Sequence, residues 1–335
     1  APPRRQRGHS LSADAPPPQP PLVREVRLAE LVRQPSLWEE ALASSTPLLV
    51  HGLGAEWCVG ALSIEELRRR WAAQAVRVTL SPDAEYQRPC RTRGGPLSDY
   101  VLREPPSKMM SFSEFVDLLP GAGGGEEQLE HVAVSQSACD SLDDFAGLPQ
   151  LPPLLRGFIG EEVNRRNLWV CRPPKLSALH YDSDDSVLVQ LSGSKRFTLI
   201  APAPLHGLTV YPSVLRVEEL ERQGPGAYEA SLHAERTVAH FPLVNVTHPD
   251  LHAHPLFRHA RVVTVDVPEG SALVLPAYWF HQVESFAPPD RLNVAINYWF
   301  DADTDGGTPA YLHSILRANL RLDLSSRPVR QDPSL

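Results

Sequence analysis

The chain has 335 residues, of which 42% are apolar and 34 are proline, with a formal net charge of −8 at pH 7. That length can bury a full core and implies one large domain with additions. The acidic balance excludes a general electrostatic attraction to nucleic acid or to an anionic membrane, and no apolar run reaches the ~20 residues that span a bilayer.

The opening residues 1–24 are rich in proline and arginine and are expected to be disordered. Arg4, Arg5 and Arg7 also leave room for the remnant of an organelle import signal. Three S-x-x-E patterns follow: Ser36 with Glu39, Ser63 with Glu66, and Ser111 with Glu114. Each has the form of a capping box, in which a hydroxyl and a carboxylate satisfy free backbone donors at a helix start. They predict helices near 36–44, 63–75 and 111–119. Gly121 to Glu127 reads as a glycine-rich loop, without the lysine-serine pair of a phosphate cradle. The cysteines Cys58, Cys90, Cys139 and Cys171 are widely spaced, with no C-x-x-C pair. They argue against a zinc ribbon or a disulfide framework, and for a reducing compartment such as cytoplasm or nucleus.

From Asn167 onward the apolar residues recur with period two, in "NLWVC", "SVLVQLSG", "KRFTLIAP", "ARVVTVDVPEGSALVLP" and "LNVAINYWF". Short strands separated by glycine and proline predict a sandwich or barrel. Ser192-Gly193 and Pro268-Glu269-Gly270 read as hairpin turns, and the stretch 203–260 as an insertion that is mostly loop. Thr308-Pro309 opens a last helix with Leu312, Ile315, Leu316 and Leu320 on one face. That face either packs on the barrel or forms a homodimer contact.

The chemistry concentrates in His180-Tyr181-Asp182, answered far along the chain by His281 in "LPAYWFHQVES". Two neutral imidazoles and one carboxylate can occupy one face of a six-coordinate divalent iron, leaving positions for a co-substrate and oxygen. A 2-oxoacid chelating through its carboxylate and keto oxygens would need a cation at its far end. Lys195 suits that role, because it shares a strand face with Phe197 and Leu199 and should point inward. An inward lysine is costly unless an anion meets it.

These residues make the chain resemble the JmjC-domain oxygenases, the iron- and 2-oxoglutarate-dependent branch of the cupin superfamily, and among them the small protein hydroxylases. The resemblance is carried by "NLWVC…LSALHYDSDDSVLVQLSGSKRFTLIAP", "VTHPDLHAHPLFRHARVVTVDVPEGSALVLPAYWFHQVES" and "NVAINYWFD", and runs from about Pro47 to Asp301. It implies a double-stranded β-helix, the jelly-roll or cupin barrel, over 166–301. Residues 25–165 would support the barrel with helices and strands, and 302–335 would form a helix and tail. It further implies Fe(II), 2-oxoglutarate and O2, with His180, Asp182 and His281 as catalytic iron ligands. Lys195, Ser177, Asn297 and Asn167 match co-substrate-binding positions. Tyr181, Trp279, Phe280 and Trp299 are expected either to wall the pocket or to pack in the core.

Two positions depart from the pattern. Ser186 stands where the small hydroxylases carry asparagine, and the strand "EHVAVSQ" lacks their tyrosine, with His131 the nearest substitute donor. The implied reaction couples oxidative decarboxylation of 2-oxoglutarate, to succinate and carbon dioxide, with hydroxylation of a protein side chain. N-methyl-lysine demethylation and RNA hydroxylation use the same site chemistry, and a binding module that has lost turnover is the alternative from another class. A protein or peptide substrate would be basic if Asp184 and Asp185 meet it; otherwise those two form a solvated loop. The histidines 248, 252, 254 and 259 resemble a second metal cluster but lack cysteine or carboxylate partners. "DADTDGG" at 301–307 lacks the closing glutamate of a calcium loop.

Overall fold

The computed structural model describes residues 22–54, 63–92, 100–119, 130–138, 163–202 and 209–300. The glycine-rich loop at 121–127, the acidic turn at 301–307, the last helix, Cys58 and Cys139 lie outside them, as does most of the proline-rich start. The supporting half contributes β1 (Arg24–Arg27), α1 (Leu28–Arg33), α2 (Ser36–Ala43), β2 (Leu48–His51), α3 (Ile64–Trp71), β3 (Ala75–Ser81), β4 (Arg88–Arg91), β5 (Tyr100–Glu104), β6 (Ser107–Ser111), α4 (Phe112–Asp117) and β7 (His131–Ala138). The barrel half contributes β8 (Arg165–Cys171), β9 (Lys175–His180), β10 (Asp185–Ser192), β11 (Ser194–Ile200), β12 (Leu215–Gly224), β13 (Ala227–Val238), β14 (Val262–Val267), β15 (Ser271–Leu275), β16 (Phe280–Phe286) and β17 (Asn293–Phe300).

Two of the three capping motifs cap a helix. The Ser63 hydroxyl accepts the Glu66 amide at 3.2 Å. Ser111 and Glu114 complete a reciprocal box at 3.2 and 2.7 Å. The third does not: Pro35, already helical at φ −58°, is the cap residue, and Ser36 lies inside the helix. Helices α3 and α4 also end earlier than the pattern suggests, since the chain turns into β3 by Ala75 and α4 stops at Asp117.

A nine-stranded sheet runs β1-β2-β15-β10-β17-β8-β7-β3-β6, and a four-stranded sheet, β14-β11-β16-β9, faces its centre. Strands β8 to β11 and β14 to β17 thus divide between two facing sheets, which is the jelly-roll arrangement. One cluster fills the space between them, with Leu188, Leu273 and Ala295 from the large sheet and Phe197, Leu199 and Val265 from the small one. The opposite face of the large sheet buries Leu37, Trp38, Leu67, Trp71, Phe112 and Phe115 of the helices. Sheet residues covered on both faces read as continuous apolar runs, and β10 is buried at every position. By contrast β11, with one solvated face, alternates: Lys195, Phe197 and Leu199 point inward, while Arg196 pairs with Asp266 outside at 2.7 Å.

Three expectations are corrected. Ser192-Gly193 and Pro268-Glu269-Gly270 are not hairpin turns, because the strands they join, β10 with β11 and β14 with β15, belong to opposite sheets. They are the corners of the barrel. Gly193 sits at φ +72°, and a Cβ there would meet the Phe286 carbonyl oxygen at 2.3 Å, so only glycine fits this corner. The insertion is not mostly loop: β12 and β13 form a long antiparallel hairpin, joined by parallel pairing to β5 in a third sheet. Its apolar positions, Leu215, Val217 and Leu220, are sparse among charged residues, which hid the alternation. The disordered start is also too long by a few residues, since Leu22 and Val23 pack against the barrel interior and Arg24 begins β1.

Candidate metal centre

His180 ends β9, Asp182 lies just beyond it, and His281 enters on β16. The register between those strands sets His281 opposite His180, with an irregularity after His281. The two imidazole centroids are 4.2 Å apart. His281 Nε2 lies 3.8 Å from Asp182 Oδ2, and one ligand atom from each of the three residues falls within 4.8 Å of the others. No other group of three or more such donors occurs among the described residues. The 248–259 histidines do not converge: Asp250 caps its own turn by accepting the His252 and Ala253 amides, and His254 is buried against Tyr211.

The protein itself orients the ligands. His180 Nδ1 faces the Ala178 carbonyl at 2.7 Å, and His281 Nδ1 faces the Trp279 carbonyl at 2.9 Å. Donation to those carbonyls fixes both tautomers and leaves Nε2 free to coordinate. The Trp299 indole donates to Asp182 Oδ2 at 3.0 Å. Tyr278, held at φ +66°, donates its amide to the Asp182 carbonyl at 2.8 Å. A non-glycine residue in that conformation is strained, and here the strain fixes the aspartate's main chain.

Electrostatics agree with this division of labour. Burial, reinforced by neighbouring His281, pushes His180 down to about 4, so its ring is neutral at physiological pH. Burial opposes ionisation of Asp182, but the two imidazoles and the Trp299 donor outweigh it and hold the carboxyl below its usual range. Two neutral imidazoles and a carboxylate are the donor set that divalent iron takes. A cavity of about 280 Å3, lined by Arg165, Tyr181, Asp182, Ser183, Asp184 and His240 among others, opens onto the site.

Deeper in the barrel, Lys195 is only 6% exposed and donates to the Ser285 hydroxyl at 2.8 Å. Asn167 and Asn297 are cross-strand partners on β8 and β17, level with Leu188 on the interior face. The Asn297 Oδ1 atom is buried without a hydrogen-bond partner, an open valence suited to a polar ligand. Ser177 shares its strand face with Lys175, and Ser186 is buried opposite Trp299. His131 lies on β7 across from Ser81, and burial lowers its pKa. Trp279 and Phe280 do not wall the open cavity. Trp279 donates to the Ser45 carbonyl and Phe280 is fully buried among Tyr181 and Leu179, so both are core. Asp185 is a structural acid that accepts the Ala277 amide at 2.7 Å, whereas Asp184 reaches the cavity and pairs with Arg165 at 3.4 Å. Sequence reasoning missed Lys175, Tyr86 and Ser285, which share the closed end of the barrel with Lys195. Lys175 was legible as a polar break at the head of "KLSALH", but nothing in the chain marks Tyr86, which arrives from the β3–β4 connection.

Comparison with known proteins accords with this arrangement. Residues 34–306 match the model of the cupin-like domain, and the chain belongs to that family, in its JmjC oxygenase branch. It is 22% identical over 311 residues to the JmjC domain-containing protein E of Dictyostelium discoideum, covering 84% of this chain and 85% of that one. It is 26% identical over 212 residues to the human bifunctional peptidase and (3S)-lysyl hydroxylase JMJD7, covering 60% and 62% of the two chains. It is 32% identical over 150 residues to the HSPB1-associated protein 1 homolog of Danio rerio, covering 44% of this chain and 28% of that one. The relatives thus range from one matched over most of its length to others of which the chain spans a third or less.

Proposed function

We propose that the chain is an Fe(II)- and 2-oxoglutarate-dependent dioxygenase that hydroxylates a protein side chain and releases succinate and CO2. The observation that carries the reading is the pairing of an oriented His180–Asp182–His281 cluster with a buried cation, Lys195, that forms no ion pair among the described residues, deeper in the same barrel. His180, Asp182 and His281 would hold the metal, and Lys195, Asn297, Asn167 and Ser177 would bind the co-substrate. When bound, the iron supplies the activation of oxygen, chemistry that no side chain here provides. The protein's own part is positional. The carbonyls of Ala178 and Trp279 aim the imidazoles, and Trp299 steadies the carboxylate.

A peptide substrate would enter by the open cavity, whose lining offers Asp184 to a basic side chain and Tyr181 to its apolar stem. The human relative JMJD7 is named a lysyl hydroxylase, which supports that substrate class by analogy. The test is anaerobic titration of metal-free protein with Fe(II) and 2-oxoglutarate, following the weak visible charge-transfer band of the chelate. The band is expected in the parent, absent in His180→Ala and weakened in Lys195→Ala. Metal binding with no band in the parent would overturn the reading and favour a binding module. Succinate release with candidate peptides, and a product heavier by one oxygen rather than lighter by a methyl group, then separates hydroxylation from demethylation.

A further inference from the structure

The closed end of the barrel carries more positive charge than a single-lysine anchor needs. Lys175 on β9, Ser285 on β16 and Lys195 on β11 are successive cross-strand partners. Directly opposed residues have Cβ atoms about 5 Å apart, so Ser285 stands between the two lysines in the sheet, and its hydroxyl accepts from Lys195 at 2.8 Å. Lys175 is 9% exposed and Lys195 6%. Among the described residues neither forms an ion pair, and the nearby acids Asp83 and Glu85 are engaged by Arg88 at 3.0 and 3.7 Å. The Lys175 ammonium lies over the face of Tyr86, with Nζ 4.8 Å from the ring centroid. Tyr86 is in turn fixed edge-on against Trp169, at 6.2 Å.

Two buried like charges on the strands flanking β16 repel each other, and each has lost its water. Methionine or leucine would fill either position at lower cost. Burial drives both lysines toward their neutral forms, Lys175 to about 8, so the two charges are poorly matched to their protein surroundings. An anion between them would remove the mismatch.

We propose that Lys175 and Lys195 together clamp the distal carboxylate of a dicarboxylic 2-oxoacid, with Tyr86 walling the clamp. Lys175 then serves where β7 offers no tyrosine hydroxyl: the interior position opposite Cys171 is Ala133. This rests on the co-substrate reading above and adds to it a specificity-determining residue. A two-cation clamp selects against 2-oxoacids that lack a second carboxylate, because those would leave both ammonium groups unpaired.

The experiment is calorimetric titration of Mn(II)-loaded parent, Lys175→Met and Lys195→Met with 2-oxoglutarate and with 2-oxobutyrate, which keeps the chelating end but lacks the distal carboxylate. Lys175→Met is expected to lose at least tenfold in 2-oxoglutarate affinity, with Mn(II) and 2-oxobutyrate binding unchanged. The metal-free variant should melt no lower than the parent, since it removes an unpaired buried charge. Unchanged 2-oxoglutarate affinity in Lys175→Met, or equal losses for both oxoacids, overturns the clamp and leaves the dioxygenase reading standing. A parent that binds Mn(II) but neither oxoacid overturns that reading instead. The clamp is then decided by glutarate: thermal protection of the metal-free parent that Lys175→Met abolishes supports it, and no protection overturns it.

Discussion

The two ends of this barrel treat buried charge in opposite ways. At the open end, every ligand atom of the His180–Asp182–His281 cluster has a partner behind it: a carbonyl for each imidazole and an indole N–H for the carboxylate. Burial holds His180 toward its neutral form, and the Asp182 carboxyl is held below its usual range, as a divalent cation requires. At the closed end, Lys195 donates to one serine, Lys175 lies over a tyrosine face, and neither forms an ion pair among the described residues. One end is an anionic site finished in advance; the other is a cationic site left incomplete. A chelating dianion has complementary needs, since one end must reach a metal and the other a cation. The difference between the ends therefore defines the polarity of the ligand that fits.

The largest expected effect breaks the open end. His281→Ala removes one of three ligands, and Mn(II) affinity measured by calorimetry should fall by on the order of a hundredfold or more. Lys195→Met, tested side by side, should leave Mn(II) affinity unchanged. Equal losses in both variants would show that the two ends are one cooperative unit rather than two separable sites.

The next effect belongs to the closed end and depends on pH. Lys175 has a folded-state pKa depressed by burial to about 8, against an ordinary value of 10.5. Between those values the unfolded chain binds more protons than the folded one, so stability must rise with pH. Below about 8 the folded protein carries the full cost of a buried ammonium, of order ~3 kcal/mol by the size of the shift. Metal-free protein should therefore gain resistance to urea from pH 8 to pH 10, and Lys175→Met should flatten most of that rise. The groups around Lys175 are Lys195, whose pKa is lowered in the same sense, Asp83, Glu85, Cys171, Tyr86 and His131. Burial raises Tyr86, which opposes the trend, but only as pH nears 10, where the unfolded phenol begins to ionise. Stability that falls over this range would mean that Lys175 is stabilised as a cation.

Much of the open end was legible in the chain, because coordination chemistry restricts residue type and β-structure restricts spacing. The His-x-Asp pair and the distant His281 follow both constraints, and the alternation of Lys195 with Phe197 and Leu199 put the lysine inside. Sheet assignment was less legible. A corner between facing sheets and a turn within one sheet use the same glycine, and only the register around Gly193 and Gly270 tells them apart. The β12–β13 hairpin was missed for a different reason: β13 is exposed along almost its whole length, so no apolar stripe records it. Lys175, Ser285 and Tyr86 escaped notice because nothing local marks residues that only three-dimensional neighbours explain.

A smaller effect probes how far the open end is prepared in advance. Trp299→Phe keeps an aromatic ring beside Arg165 but removes the hydrogen bond to Asp182 Oδ2. Outer partners of this kind are worth roughly tenfold in metal affinity. A loss of that size in Mn(II) binding, with unfolding shifted little, would confirm that orientation of the carboxylate is built in. No loss would mean that the strained Tyr278 turn alone suffices to place Asp182.

The smallest effect lies in Ser285, the one neutral group between the lysines. Ser285→Ala deletes the hydrogen bond that Lys195 makes at 2.8 Å. In the metal-free protein this leaves a buried donor unsatisfied, at a cost of about 1 to 3 kcal/mol. If a carboxylate takes over as acceptor when the ligand binds, the cost is largely recovered in the complex. The variant should then unfold at lower urea than the parent when empty and nearly level with it under saturating 2-oxoglutarate and Mn(II). Its apparent ligand affinity would be the parent's or slightly tighter, the reverse of what Lys175→Met is expected to do. A serine that directly held the ligand would instead lose affinity on substitution. The sign of that change thus distinguishes a stand-in acceptor from a binding group, and it tests whether the closed end is incomplete until an anion arrives.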